Sequence, residues 1–355
     1  MTILNDLAYV KKEVEKRLEE FLDEKISEAS EISPSSREMM NTLKDFVLRG
    51  GKRLRAALVY YGYCCFHGEA GDAVWDVAMS IELVQSFLLI HDDIIDEDTT
   101  RRGGPTIHQR YHDLHLERYT RRDPRHFGES LAIICGDLAL ALANEILGNM
   151  PCNARFKSKT IVAMNRMIHR VVYGECLDIL SEVENETTEE EIHMMYRLKA
   201  AAYTIECPLH MGALMAGGTK KDLERLSAYA IPLGEAFQIQ DDILGMFGDE
   251  EKLGKPIGSD IREGKKTFLI VKALEKVHLP QREFIKNVLG KRDLSDGDLK
   301  TIKEIVVDTG SLDYSRELAQ RLIEEARGAL GNYTLRKEGK DFLAGIIEFI
   351  VQREY

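Results

Sequence analysis

Proline is scarce, eight in 355 residues, and no window alternates apolar and polar residues well enough to make a strand. Helix is what remains. No Lys/Arg tract is long enough to form a basic tail, and 60 acidic residues against 48 basic ones give a net charge of −12. Such a surface repels polyanions, so neither nucleic acid nor an anionic membrane is an expected partner. The cysteines (Cys64, Cys65, Cys135, Cys152, Cys176, Cys207) form no CxxC pair and no His-containing zinc spacing. Most lie in apolar runs, where a thiol behaves as a small hydrophobe, which suits a reduced, cytoplasmic compartment. The N-terminus lacks an apolar h-region, and the most apolar stretch, 75–91, is broken by Asp76, Ser80, Glu82, Gln85 and Ser86. Neither export nor a membrane span is expected. With no fixed-period repeat, low-complexity tract or obvious linker, one domain over 1–355 is the economical organisation.

Hydrophobic residues make up 44% of the chain and charged ones 30%, the balance of a soluble, mostly helical globule. Leu7, Val10, Val14, Leu18, Phe21 and Leu22 step by three and four, which marks an amphipathic opening helix. The same periodicity predicts helices over 37–49, 53–66, 73–98, 129–149, 154–182, 188–216, 220–247, 267–276, 296–308, 312–330 and 338–353. Pro232 should kink the 220–247 helix, because proline removes an internal hydrogen bond. The segment "LHLERYTRRDPRHFG" (114–128) has no clean apolar stripe and reads as a surface insertion. "SEVENETTEEE" (181–191) reads as an acidic, solvated turn, with Thr188 as N-cap of the next helix.

Charge is distributed unevenly. In "LLIHDDIIDEDTTRRGG" (88–104) an apolar run ends in Asp92, Asp93, Asp96, Glu97 and Asp98, and two arginines follow. On a helix Asp92, Asp93 and Asp96 span an arc of roughly 100°. Taken alone, this describes a solvated helix end as readily as a ligand site. Like charges ~4 Å apart repel by about 1 kcal/mol in water but about 4 kcal/mol at an effective dielectric of 20. A sheltered cluster therefore needs cations, and the preceding "IELVQSFLLI" argues for shelter. All-oxygen ligands suit Mg²⁺, which binds through a few carboxylates plus substrate phosphates. A second cluster, Asp241 and Asp242 in "FQIQDDILGMFGDEEKLGKPIGSDIREGKKT", also ends an apolar run and precedes Lys255, Lys265 and Lys266. Carboxylates on two facing helices would clamp a diphosphate through bridging metals. In "RGGKRLRAAL" (49–58), Gly50 and Gly51 precede Lys52, Arg53 and Arg55, a pattern that fits an anion site or a plain exposed basic turn.

The ordered set "GGKRLR", "DDIID…RRG", "GECLD", a lysine before "AAAY", "FQIQDD" and "GKPIGSDIREGKKT" resembles the trans-type isoprenyl diphosphate synthases from about residue 40 to 275. The resemblance implies an all-α isoprenoid synthase fold, with antiparallel helices around a large central cavity, in a homodimer. It implies condensation of isopentenyl diphosphate with an allylic diphosphate (dimethylallyl, geranyl or farnesyl) with Mg²⁺. Asp92 and Asp96 would bind metal with Asp93 in support, and Asp241 with Asp242 would hold the remaining ion. Lys52, Arg55, Gln85 and Arg102 would receive isopentenyl diphosphate, while Arg101, Lys199 and Lys255 would grip the allylic diphosphate. Asp178 and Gln238 would support the site, and Lys265 would close it.

Three positions depart from the family pattern: Ala200 stands where threonine is usual, Glu175 where glutamine is usual, and Gly245 where the second motif has its third aspartate. Asp249 does not obviously substitute. Val84, Phe87 and Leu88 precede Asp92 by one to two turns and would line the chain-length pocket. Phe87 five positions before the first aspartate resembles the archaeal-type geranylgeranyl diphosphate synthases, with farnesyl diphosphate as main or joint product the alternative. A non-catalytic partner subunit would be expected to lose the metal-binding aspartates. A His-Asp phosphohydrolase, suggested by His91-Asp92, would need further histidine ligands, and a terpene cyclase would leave "GGKRLR" without a ligand.

Overall fold

The computed structural model describes residues 3–66, 71–184, 186–249 and 257–352. Helix α4 (Asp72–Ile95) is largely buried, and its eight consecutive positions 77–84 are all so. Its polar core residues are satisfied locally: Ser80 donates to the Ala143 carbonyl at 2.9 Å, and Ser86 to that of Glu82 at 3.0 Å. Around it pack α1 (Ile3–Ile32), α2 (Pro34–Leu48), α3 (Leu54–Cys64), α5 (Ile107–Arg118) and α6 (Pro124–Asn149). These belong to a first compact unit, Met1–Val162 with Met211–Gly217.

The second unit is Ala163–His210 with Gly218–Tyr355. The long α7 (Ala154–Val183) and α9 (Cys207–Met215) carry the chain between the units. Between them lie α8 (Glu189–Met195) and a π-helical segment, Tyr196–Glu206. The segment packs on α10 (Lys220–Phe247), which also contacts α11 (Ser259–Glu263), α12 (Phe268–Lys276), α15 (Ser311–Gly331) and α16 (Lys337–Val351). Helices α13 (Leu279–Val288) and α14 (Asp296–Asp308) complete the unit.

The all-helical expectation holds, with instructive exceptions. Helix α4 stops at Ile95, short of the expected 98, because Glu97 turns left-handed (φ 59°) and Asp98 N–H returns to the Asp93 carbonyl at 3.0 Å. That closure satisfies the last carbonyls without further helix. A two-residue antiparallel pairing follows, Thr100–Arg101 with Gly104–Pro105. Its turn residues Arg102 and Gly103 both have positive φ, the geometry that matches strand twist in a tight hairpin.

The stretch 114–128 is not an insertion: α5 ends at Arg118 and α6 starts at Pro124, with the Asp123 carboxylate accepting from His126 N–H at 2.8 Å. His115 is buried and donates from Nε2 to the Arg121 carbonyl at 2.7 Å. Ile107, Tyr111 and His115 form the buried stripe of α5, invisible to a pattern that counts histidine as polar. The short helices α11 and α13 were also unexpected. Thr188 does cap α8, in a reciprocal box with Glu191.

Helix α10 runs unbroken through Pro232. Two residues on, Gly234 leaves no room for a side chain, because a Cβ there would lie 2.4 Å from Ala201 Cα in the π segment. Gly234→Ala is expected to cost about 1–3 kcal/mol, the scale of an overpacked core, measured by urea unfolding. A midpoint equal to the parent's would show that the two helices part freely.

Candidate active site

The aspartate end of α4 comes first, since the apolar helix beneath it is largely buried. Asp93 points inward and is buried, Asp96 is nearly so, and Asp92 stays half-buried. The hairpin delivers Arg101 onto this end. Its Nε donates to Asp93, and its Nη2 reaches Asp92 and Asp98 at 3.3 Å each. Burial pushes the Asp93 carboxyl up to about 7, with Arg101 opposing. Its second oxygen, Oδ2, is buried without a hydrogen-bond partner. The helix terminus adds its own partial negative charge. One arginine thus faces three carboxylates, and the remaining charge calls for cations.

These donors fit a hard divalent ion. They are oxygens only, and among the described residues no three His, Cys, Asp or Glu side chains converge into a self-sufficient metal cage. Magnesium commonly takes one or two carboxylates and completes its shell with water and phosphate oxygens.

The cationic part of the same unit is built on backbone strain. Gly50, Gly51 and Arg53 all have positive φ, at 67°, 97° and 52°. Arg53 is not part of an anion site: it is buried and donates to Glu15 at 3.0 Å, Glu82 at 3.2 Å and the Val47 carbonyl at 2.6 Å. Glu82 also accepts from Ala56 N–H at 3.1 Å. This inward anchor leaves Lys52 exposed and Arg55 half-buried on either side. Arg102 lies against Gly51, whose missing Cβ would stand 3.4 Å from the guanidinium carbon, and donates to the Arg49 carbonyl at 3.3 Å. Burial lowers the Arg102 pKa, as does the nearby charge of Arg53. Gln85 is half-buried on α4. Of the chain-length residues, Val84 is fully buried, Leu88 half-buried, and Phe87 buried with its ring edge-on to His91 at 4.9 Å.

In the second unit Asp242 is buried and accepts from the Tyr196 hydroxyl and from Gln238 Nε2 at 2.9 Å. Burial raises its pKa well above the carboxylate range, Asp260 adds to the rise, and both hydrogen bonds oppose it. Asp241 beside it is half-buried. Lys199, on the π segment, donates to Asp178 at 2.6 Å and Glu175 at 2.8 Å. Lys265 pairs with Glu263 at 2.5 Å. Lys266 instead caps the end of α7, donating to the carbonyls of Ser181 and Glu184. Lys255 lies outside the described residues.

One acidic residue escaped the motif reading. A Cβ at Gly245 would lie 3.2 Å from Asp260 Oδ2, and Gly258 N–H ties to the Gly245 carbonyl at 2.9 Å. The carboxylate of Asp260 therefore stands beside the position where the second motif lacks its third aspartate. The only sequence hint was its place in "GSDIREGKKT", between the lysines.

The family model for polyprenyl synthetase matches residues 36–306. The chain belongs to the polyprenyl synthetase family. This polyprenyl synthetase is 33% identical to the short chain isoprenyl diphosphate synthase of Methanothermobacter thermautotrophicus, over 96% of its own length and 98% of the relative's. It is 34% identical to the geranylgeranyl diphosphate synthase of Sulfolobus acidocaldarius, covering 86% and 87%. Among solved structures it is similar to the geranylgeranyl pyrophosphate synthase of Corynebacterium glutamicum complexed with isoprenyl diphosphate and magnesium. The TM-score is 0.92 at 35% identity, covering 97% and 98% of the two chains. The all-helical isoprenoid synthase fold of this polyprenyl synthetase is thereby established.

Proposed function

We propose that this polyprenyl synthetase is a magnesium-dependent short-chain prenyltransferase that condenses isopentenyl diphosphate with allylic diphosphates and delivers geranylgeranyl diphosphate. The observation that carries the reading is the aspartate end of α4, sheltered, oxygen-only and bridged by Arg101, in one unit with the cationic loop that turns at Gly50–Gly51. Together they offer a cation-gathering site and a second anion site, as two diphosphate substrates require. The relatives named as geranylgeranyl diphosphate synthases support the product.

Magnesium held by Asp92 and Asp96, with Asp93 in support, and by Asp241 with Asp242 would neutralise the diphosphate as it leaves. The chain's own cations share that work. Arg101 and Lys199, with Lys255 as the third cation of the set, grip the allylic diphosphate, so that charge building on it as the allylic C–O bond breaks is met by cationic donors. Lys52, Arg55, Gln85 and Arg102 hold isopentenyl diphosphate, whose double bond attacks the allylic cation. A proton is then lost to the released diphosphate. Gln238 orients Asp242, Asp178 orients Lys199, and Lys265 closes the site. Val84, Phe87 and Leu88 supply apolar wall, which keeps water from the cation.

Two further features belong to the proposal. Ile133 and Ile134 on α6 are exposed, apolar surface that a second copy of the chain would cover. All six cysteines are free thiols, in keeping with a reducing, cytoplasmic compartment.

The test is to incubate the protein with labelled isopentenyl diphosphate and each allylic starter, and to size the products. C20 product with a starter and none without is expected; no condensation with any starter would end the reading. Phe87 stands five residues before Asp92, about 7.5 Å along the helix. Phe87→Ala is therefore expected to lengthen the main product by at least one five-carbon unit, and an unchanged distribution would remove Phe87 from that role.

A further inference from the structure

Lys199 has two acidic partners, and one of them is a departure from the family pattern. Glu175 and Asp178 lie three residues apart on α7, so both carboxylates share a helix face. Lys199 Nζ sits 2.8 Å from Glu175 Oε2 and 2.6 Å from Asp178 Oδ2. The backbones that carry them are pressed together: a Cβ on Gly174 would stand 2.7 Å from Lys199 N and 3.0 Å from its Cα. The lysine is therefore seated directly beside the helix turn that carries both carboxylates. Both carboxylates are largely sheltered, with side chains 20% and 8% exposed, while the lysine side chain is 27% exposed. Two carboxylates thus share one ammonium, at the residue assigned above to the allylic diphosphate.

We infer that Glu175 is a positioning and affinity-setting residue: it competes with the allylic diphosphate for Lys199 and so weakens the ground-state grip on every diphosphate that occupies this subsite. A diphosphate that draws Nζ toward itself must stretch the Glu175 contact and approach a like-charged group. The penalty applies to the allylic substrate, to the elongated allylic product and to inorganic diphosphate alike. Release of product is therefore easier than it would be with a neutral amide at 175. Asp178 is the structural partner, more buried and with the shorter contact, whereas Glu175 is the adjustable one.

The inference rests on the assignment of Lys199 to the allylic diphosphate, and the experiment separates the two. In steady-state kinetics with excess magnesium, Glu175→Gln is expected to lower the KM for the allylic substrate and the inhibition constant of inorganic diphosphate. The change should be about fivefold, the scale of one partly exposed ion pair, with the KM for isopentenyl diphosphate unchanged. Glu175→Asp, which keeps the charge, should stay within about twofold of the parent. Lys199→Ala should raise both constants. If Lys199→Ala raises them but Glu175→Gln leaves them unchanged or raises them too, the competition does not exist. An equal drop in Glu175→Gln and Glu175→Asp would also overturn it, since charge would not be the cause. If Lys199→Ala changes neither constant, the assignment of Lys199 itself is wrong.

Discussion

Replacing Asp92 or Asp241 with alanine is expected to lower turnover by about three orders of magnitude, the scale on which charge stabilisation of a leaving group is lost. Each is the half-exposed member of its aspartate pair, the other being buried against a hydrogen-bonding partner: Asp93 against Arg101, Asp242 against Tyr196 and Gln238. The half-exposed carboxylates are the ones that solvent, and with it a hydrated cation, reaches directly. Folding should survive, because neither substitution opens a buried cavity; the thermal midpoint should stay within a few degrees of the parent's. Near-parental turnover of either variant at saturating magnesium would remove that aspartate from the reaction. Asp93→Ala should behave differently, lowering activity together with stability, since it strips Arg101 of its innermost partner.

The largest expected loss of stability comes from a neighbour of the substrate-binding residues. Arg53→Met should destabilise the fold by about 3–5 kcal/mol, because it leaves Glu82 buried without its cationic partner. Arg53 and Glu82 are both almost inaccessible and meet at 3.2 Å. Removing the charge on Glu82 as well, in Arg53→Met with Glu82→Gln, should recover part of the loss, as expected when the penalty is an uncompensated charge. Lys52→Ala, one residue away and exposed, should change stability by less than about 0.5 kcal/mol while raising the KM for isopentenyl diphosphate. Urea unfolding of the three variants is the measurement. Equal small losses in Arg53→Met and Lys52→Ala would show that the buried pair is not what anchors the loop.

These two cases show why adjacent charges with the same appearance in sequence part company. In "GGKRLR" the arginine at 53 and the lysine at 52 are indistinguishable by pattern, yet Arg53 turns inward. The reason is Glu82, 29 residues away, which no local window contains. Lys265 and Lys266 divide in the same way: the first reaches a nearby carboxylate, while the second closes the carbonyl end of α7, more than 80 residues earlier. Asp260 went unnoticed because its relation to Gly245 depends on the backbone tie from Gly258 to Gly245, not on spacing along a helix.

From residue order alone came the all-helical architecture, most helix positions, the two aspartate groups and the glycine-basic loop. Each is a local signal: a 3.6-residue apolar repeat, a run of like charge at a helix end, or glycine before cationic side chains. Tertiary structure alone decided where α4 closes, that His115 is core, that residues 196–206 wind as a π-helix, and which charged side chains face inward. A charged group is stable inside only beside its compensating partner, and that partner is brought up by the folded chain from a distant position.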